Sequence, residues 1–262
     1  MEETLAEIEF LALSPNRVTV LECLAAEAHT RGELAEATGA SQATLGRILG
    51  DFEDRSWGRR AAGGYVATAT GRLVAEGFRD MRGVIETERQ LRGIVDYLPT
   101  EAMEFDLRAL ADATIITPTE TRPNAPLQRL LALLREGDSV TAFSHAFNDQ
   151  SLSAVADRLA DIEFQAVLTR SAVESLAADD GLRAQLGAVV ESENAAIRVS
   201  DEAIPLAVTV VDDVVNILVR DDRGVVQASV DTDHSAVREW AYRRFEHYRV
   251  NTEPLTAADL RG

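Results

Sequence analysis

The sequence of 262 residues contains no lysine, and all 26 of its basic residues are arginine. Enzymes that depend on a catalytic lysine are therefore excluded, among them Schiff-base enzymes, kinases and nucleotide-binding proteins with a P-loop. An active site of the phospholipase D type, which uses a His-x-Lys pair, is excluded for the same reason. The single cysteine, Cys23, excludes a disulfide framework within the chain and any cysteine-based zinc site.

Long apolar runs are also missing, and none approaches the roughly 20 residues that a membrane helix needs. The first ten residues carry four acids and no base, unlike a secretory signal or a transit peptide. Apolar residues make up 46% of the chain, which is enough to build hydrophobic cores and excludes global disorder. We therefore expect a soluble, cytoplasmic protein without membrane contact, of one large domain or two small ones.

Acidic residues dominate the charge: 44 Asp and Glu face 26 Arg, for a formal net charge of −18. This composition resembles that of proteins from halophilic archaea that accumulate salt, in which carboxylates hold hydration. At about 1 M ionic strength the Debye length is only about 3 Å, so the self-repulsion of such a chain is largely screened. A GC-rich genome also explains arginine in place of lysine, but it does not explain the excess of acids.

Local signals divide the amino-terminal part into four short helices. Ser14 precedes a proline at the start of the second helix. Thr30 and Glu33 have the spacing of a capping box for the third, which Gly39 ends. Ser41 can cap the fourth helix.

A β-hairpin is predicted next, with residues 57–60 and 65–68 flanking the turn sequence at 61–64. Helix, helix, tight turn, helix and hairpin is the layout of a winged helix-turn-helix. The stretch from residue 31 to 49, RGELAEATGASQATLGRIL, carries the resemblance, and the hairpin is similar to the wing of archaeal regulators. The resemblance implies a DNA-binding domain over residues 1–70.

The resemblance also implies which side chains meet DNA. In a helix-turn-helix, the first residues of the second motif helix contact base edges in the major groove, and one turn later a side chain can reach a base or a phosphate. Arginines near the wing tip suit phosphate or minor-groove contact. The predicted DNA-binding residues are Arg31, Ser41, Gln42, Thr44, Arg47, Arg59 and Arg60.

The charge distribution favours this prediction. Residues 31–72 contain six arginines and five acids, a balance of +1, whereas residues 99–262 contain fifteen arginines and twenty-eight acids, a balance of −13. The least acidic region thus coincides with the predicted DNA reader, as contact with phosphates requires.

A different interpretation is a protein–protein adaptor that kept the winged-helix fold without reading DNA. This interpretation gains weight if Asp51, Glu53 and Asp54 share a face with Arg47 and Arg59, because the acids would then repel phosphate.

Residues 71–98 predict a long linking helix with an apolar seam of the kind seen in coiled coils. We interpret it as a dimerisation arm, since a homodimer would place two recognition helices about one DNA turn apart. The other interpretation is a helix packed on its own domain. The seam residues are Val74, Met81, Val84, Leu91, Val95 and Leu98.

From residue 99 to 250 the pattern predicts an α/β domain, and with the helical first part this makes the fold class α+β. Short β-branched strands alternate with helices as far as residue 199, which implies a parallel sheet with right-handed crossovers. Three strands within 206–230, joined by Asp-rich turns, predict an antiparallel meander before a closing helix. Residues 251–262 are predicted to be a tail.

Three segments of this half carry a second resemblance: ITP at 116–118 with RPNAPLQRLL at 122–131, DEAIPLAVTVVDD at 201–213, and WAYRRFEHYR at 240–249. They look like the C-terminal domain of haloarchaeal winged-helix regulators. That domain is related to the middle domain of methanogenesis regulators and, more loosely, to archaeal sugar-responsive regulators. The resemblance implies a domain that senses an effector or mediates oligomerisation, and it implies no particular ligand.

Polar residues follow several predicted strands, where α/β folds place ligands. If these strand ends meet at one edge of the sheet, Arg122, His145 and Arg170 could bind a small-molecule effector with an anionic or polyol group. The plainer interpretation is that they are ordinary loop residues.

No catalytic set is found. Ser144, His145 and Asp149 could be drawn as a hydrolase triad, but adjacent residues of a strand point to opposite faces. None of the four histidines has a metal-ligand spacing to another histidine or to the cysteine. We therefore predict no enzyme, no cofactor and no metal, but a DNA-binding regulator, with duplex DNA and a second copy of the chain as partners.

Overall fold

The structure is a computed structural model that describes residues 1–260. Contacts divide the chain into two compact units, Met1–Ile85 and Glu86–Gly262. Each unit has its own hydrophobic core residues, in one cluster in the first unit and in two clusters in the second. Along the described residues, no helix combines the length and the apolar character that crossing a membrane requires.

The first unit contains helices and one two-stranded hairpin, in the order of a winged helix-turn-helix. Its packed centre is formed by apolar side chains of α2, α4 and the hairpin, including Phe52 and Trp57. The elements are α1 Glu2–Ala12, α2 Pro15–Ala26, α3 Arg31–Thr38, α4 Gln42–Asp54, β1 Gly58–Ala61, β2 Gly64–Ala67 and the start of α5 Ala69–Leu91.

The helix boundaries predicted from capping residues are confirmed. The Ser14 hydroxyl accepts a hydrogen bond from a backbone N–H of the first turn of α2. Thr30 and Glu33 form the reciprocal capping box of α3. Gly39 ends α3 in the left-handed conformation, with φ of 67°, and Ser41 caps α4. Local hydrogen bonds thus fix the turn between α3 and α4.

Two glycines allow close backbone approaches in this unit. A Cβ atom on Gly64, whose φ is 138°, would lie 2.2 Å from the carbonyl oxygen of His29, and His29 forms a β-bridge to Tyr65. A Cβ atom on Gly71 would lie 1.9 Å from the carbonyl oxygen of Trp57. The hairpin and the first turn of α5 are therefore held against backbone where no side chain fits.

The linking helix is shorter than predicted. It ends at Leu91 rather than at Leu98, and a short 3-10 helix, Val95–Tyr97, follows. Leu91 and Leu98, two of the predicted seam residues, are buried in the core of the second unit. Gly93, two residues after the end of α5, weakens helix propagation. The segment that follows α5 is not α-helical and brings Leu98 into the core of the second unit.

The second unit is built on a sheet of eight strands with helices on both faces. Two further 3-10 helices, Thr100–Ala102 and Leu107–Leu110, precede the first strand. The other elements are β3 Thr114–Ile116, α6 Ala125–Glu136, β4 Ser139–Ser144, α7 Asp149–Ala156, β5 Glu163–Thr169, α8 Arg170–Ala177, α9 Asp180–Glu191, β6 Ala195–Ser200, β7 Ala207–Val211, β8 Val214–Arg220, β9 Val226–Thr232, α10 Ser235–Val250 and β10 Glu253–Pro254.

The strand order is β10-β6-β5-β4-β7-β8-β9-β3. The predicted antiparallel meander of β7, β8 and β9 is confirmed. The parallel part is smaller than expected and contains β4, β5 and β6. The expectation that β3 joins it was wrong, because β3 pairs antiparallel with β9 at the far edge. An antiparallel pair between β4 and β7 joins the two parts into one sheet.

Side chains along each strand point alternately to the two faces of the sheet, and each face packs into a hydrophobic core of its own. In β4, Ala142 packs on the face covered by α6 to α9, whereas Phe143 packs on the opposite face with Trp240 of α10. The prediction of a tail at residues 251–262 is wrong for the part of it that the structure describes, residues 251–260. The strand β10 pairs with β6, and Leu255 and Leu260 are buried in the first of these cores.

Candidate nucleic-acid interface and carboxy-terminal pocket

The helix α4 presents one apolar and one polar face. Leu45, Ile48, Leu49 and Phe52 are buried, as predicted. On the other side, Ser41, Gln42 and Arg47 are exposed and Thr44 is half-buried. The Ser41 hydroxyl accepts from the backbone N–H of Thr44 and lies 3.0 Å from its side-chain oxygen. Ser41 and Thr44 therefore shape the start of the helix, while Gln42 and Arg47 extend outward from it.

Arg31 links this helix to the hairpin. Its backbone carbonyl accepts a hydrogen bond from the Gln42 side chain. Its guanidinium donates to the hydroxyl of Tyr65, at 3.2 Å, and passes close to Gly46. Sequence reasoning did not select Tyr65, although the hairpin register pairs it directly with Arg60.

The two wing arginines lie on different faces. Arg59 pairs with Val66 and Arg60 with Tyr65, and consecutive strand residues point to opposite sides. The guanidinium of Arg60 lies 5.6 Å from the centre of the Tyr65 ring and 3.7 Å from a carboxylate oxygen of Glu53. Arg60 thus shares a face with Arg31 and Tyr65, whereas Arg59 does not.

Arg47 and Arg59 are exposed, and neither forms an ion pair or a hydrogen bond with the residues that the structure describes. Asp51, one of the acids of the same helix, is paired with Arg17 at 3.5 Å. Asp54 is exposed at the last residue of α4. Arg47 of α4 and Arg59 of the wing are therefore each available for a partner, as phosphate binding needs.

The three residues predicted to bind an effector do not come together. Arg122 follows β3, which lies four strands away from β4, or about 20 Å at the usual spacing between strands. Arg170 begins α8 and forms an exposed ion pair with Asp201, at 2.6 Å. The expected convergence failed for Arg122 because it assumed that β3 lies beside the parallel strands, and for Arg170 because that side chain pairs with Asp201 and lines a different pocket from His145.

His145 is the one of the three that lines a pocket together with another basic group. The pocket has a volume of about 550 Å³, and Arg220 lies in its wall with His145. Burial and the nearby Arg220 guanidinium lower the pKa of His145. Burial also lowers the pKa of Arg220. Sequence reasoning missed Arg220 because it treated β8 as a hairpin strand without a ligand-binding end.

The described residues contain no cluster of three or more His, Cys, Asp or Glu side chains that could hold a metal ion. The Ser144 hydroxyl hydrogen-bonds with the backbone of Ala146 in both directions. It is therefore held in the turn after β4, not beside His145 as a hydrolase triad would require.

A winged helix-turn-helix followed by an α/β domain defines a class of transcription regulators, and the family comparisons place the chain in it. Residues 5–90 match the HVO_A0261 N-terminal domain. Residues 123–251 match the family model described as methanogenesis regulatory protein FilR1, middle domain. The second unit thus contains a FilR1-type middle domain over residues 123–251, and the resemblance to the middle domain of methanogenesis regulators is confirmed. No curated protein matches the sequence.

Solved structures resemble the chain only distantly. TrmBL2, an archaeal chromatin protein with a novel mode of DNA binding, is 17% identical, with 95% of this chain and 98% of that chain covered and a TM-score of 0.39. Nuc from Salmonella typhimurium, a phospholipase D family member, is 12% identical, with 55% and 99% covered and a TM-score of 0.44. NucT from Helicobacter pylori is 10% identical, with 55% and 98% covered and the same score. Likenesses at these scores carry no information about function.

Proposed function

We propose that this transcription regulator binds duplex DNA in a sequence-specific manner through α4 and the hairpin. The observation that carries the proposal is the exposed face of α4, where Gln42 and the unpaired Arg47 lie beside the Arg31–Tyr65 contact. Gln42 has the chemistry to read a base edge, and Arg47 to read guanine or to contact a phosphate. The family model supports a regulatory role and not a catalytic one.

The test is genome-wide DNA occupancy in the native host, with wild type beside the double variant Arg47→Ala/Arg59→Ala. We expect discrete peaks that share a motif and that the double variant loses. A matched control is Arg79→Ala, which removes an exposed arginine from α5 with the same change of charge. Absence of peaks with a folded, expressed protein would favour the adaptor and direct the search to a protein partner.

We further propose that the chain acts as a homodimer. Apolar side chains of α1 and α5 remain exposed in the first unit, with Leu5 58% and Leu73 69% exposed, and Val84 and Ile85 accompany them on α5. A second copy would cover this surface and supply a second recognition helix, as a palindromic site requires. Sedimentation of the wild type as a dimer, and of Leu73→Glu as a monomer, is the expected result. A monomeric wild type at the concentrations used for DNA binding would contradict it.

Modulation through the carboxy-terminal unit is the third part of the proposal. The helix α5 begins in the first unit and ends in the second, so a signal in the second unit can reach the DNA reader along one element. Regulation would change the spacing of the two recognition helices in the dimer. Matched structures with and without a ligand that show an unchanged spacing would contradict this part.

A further inference from the structure

Arg220 is a half-buried cation that forms no ion pair with any of residues 1–260. One terminal nitrogen, Nη1, donates to the backbone carbonyl of Gly224 at 2.9 Å. Its Nε is buried and has no hydrogen-bond partner among the described residues. A buried guanidinium that lacks an anionic partner is unfavourable. The adjacent Asp221 does not form an ion pair with Arg220; its carboxylate accepts hydrogen bonds inside its own turn, from the backbone of Arg223 and Val225.

His145 adds a second unsatisfied group to the same pocket. Its Nδ1 is buried and has no partner along the part of the chain that the structure describes. The positive charge of Arg220 acts on the imidazole, so the two side chains lie within electrostatic range of each other. An anion between them would interact favourably with both.

The pocket lies where the inner strands β4 and β8 end and β7 begins. At about 550 Å³ it can hold a small organic molecule. Leu98, Pro99, Pro205, Leu206 and Leu218 contribute an apolar part of its wall. The pocket therefore offers one cationic end and one apolar side.

We propose that this pocket binds a small organic molecule with a single carboxylate. The carboxylate pairs with the guanidinium of Arg220, which has no anionic partner among the described residues, and accepts a hydrogen bond from His145. The apolar body of the ligand packs on the leucine and proline wall. Asp96, Asp221 and Asp222 also line the pocket and repel a second negative charge, so a monoanion is favoured over a phosphate dianion.

The pocket also includes the residues that directly follow the linking helix. Asp96–Pro99 form part of its wall, and α5 ends at Leu91. A bound ligand would therefore contact the segment that continues from α5. That regulatory consequence rests on the proposed DNA binding, whereas binding of the carboxylate itself does not.

The experiment uses the full-length chain and acetate as the probe. Acetate replaces chloride at constant ionic strength, and NMR follows the Nε–H signal of Arg220 and the ring signals of His145. We expect both signals to shift saturably. Arg220→Gln should weaken the response of His145 about tenfold or more, as expected for loss of a charge-assisted hydrogen bond. The matched control, Arg135→Gln, removes the same charge from an exposed arginine of α6 outside the pocket and should leave the affinity unchanged.

Two further arms keep the outcome decisive. His145→Gln leaves Arg220 as the reporter, so the site can be tested even where Arg220→Gln fails to fold. Phosphate at a pH where it is a dianion should bind more weakly than acetate. The proposal is overturned if acetate shifts neither signal, if folded Arg220→Gln binds as wild type does, or if phosphate binds as well as acetate. A silent Arg220 signal also overturns the proposal, and it would indicate that a water in the small cavity shared with Ser151 satisfies the Arg220 Nε.

The failure of the proposed function is separable from the failure of this site. Arg47→Ala should leave the response to acetate unchanged, because Arg47 belongs to the other unit. If the protein binds acetate but occupies no DNA in the host, the proposed carboxylate site is supported and the proposed DNA binding is contradicted. DNA occupancy without acetate binding would do the opposite.

Discussion

The buried carboxylate of Asp231 holds together a cluster of polar side chains in the second unit. Its carboxylate is 2.5 Å from Arg129 of α6 and accepts a hydrogen bond from the side chain of Asn216, which is fully buried. Ser229 lies in the same cluster. The polar groups lie between α6 and the sheet, where each unpaired member is costly.

We expect Asp231→Ala to reduce the free energy of unfolding by about 3–5 kcal/mol, since it leaves Arg129 without its anionic partner and removes one of the two acceptors of the buried Asn216 amide. Urea unfolding at neutral pH measures this loss. The control is Asp213→Ala, which removes a carboxylate from an exposed ion pair with Arg238, worth about 1 kcal/mol or less. Equal losses in the two variants would show that burial of Asp231 is not what makes its pair important.

Gly71 sets a second constraint at the scale of one residue. We expect Gly71→Ala to destabilise the first unit by about 1–3 kcal/mol, because the added methyl group meets the carbonyl oxygen of Trp57 and forces the backbone to move. Gly77→Ala, on the same helix, meets nothing within 4 Å and should be neutral or stabilising by up to about 1 kcal/mol. Thermal unfolding of both variants decides, and a stable Gly71→Ala would refute the close approach.

Among the elements, α3 owes its start to the capping box. The backbone and side chain of Thr30 donate hydrogen bonds to the Glu33 carboxylate and hold the pKa of Glu33 below its usual value. A lowered pKa in the folded state means that the ionised form adds stability above the unfolded-state pKa of about 4.3. That stability is lost as the pH falls through the folded pKa.

Glu33→Gln should therefore flatten the acid side of the curve of stability against pH, because glutamine does not titrate. Urea unfolding across a series of acidic pH values measures the slope. The control is Glu36→Gln in the same helix, which lies outside the capping box and should keep the wild-type slope. A slope unchanged in Glu33→Gln would contradict the role given to the box.

The elements also show which parts of the fold a sequence encodes locally. Caps and apolar periodicity predicted α2, α3, α4 and α10 closely, because their signals lie within a few residues. The end of α5 and the partner of β3 were not predictable in this way. The helix α5 stops at Leu91 because the residues after it, such as Leu98, pack into the core of the second unit, and β3 pairs with residues more than a hundred positions later. The Arg220 pocket was missed for the same reason, since it assembles from three separate segments.

At the scale of the whole molecule, the net charge of −18 is distributed unevenly, with residues 31–72 close to neutral. Low salt leaves the repulsion among carboxylates unscreened, whereas about 1 M salt reduces the Debye length to about 3 Å. DNA affinity responds in the opposite direction, because salt weakens contacts with phosphates. Binding at high salt must then rest more on base contacts and DNA shape.

We expect the melting temperature to rise by about 4 °C or more between low salt and about 1 M KCl, which corresponds to a gain of about 1–2 kcal/mol. Thermal unfolding at a series of KCl concentrations measures the rise. A neutral osmolyte is the control, since it does not screen charge. A melting temperature that is flat or falls with KCl would contradict both the repulsion and the expected adaptation to salt.

The edges of the large sheet have a consequence for the order of events during synthesis. The strand β3 can pair only after its partner β9 has been synthesised. The open edge of β6 is covered only by β10, at residues 253–254. The first unit has all its core residues much earlier, within residues 1–85. During synthesis the first unit can therefore fold while the sheet of the second unit is still unfinished and has open edges. Chaperone dependence and misfolding should concentrate in the second unit, whose distant pairings also make it the slower to fold.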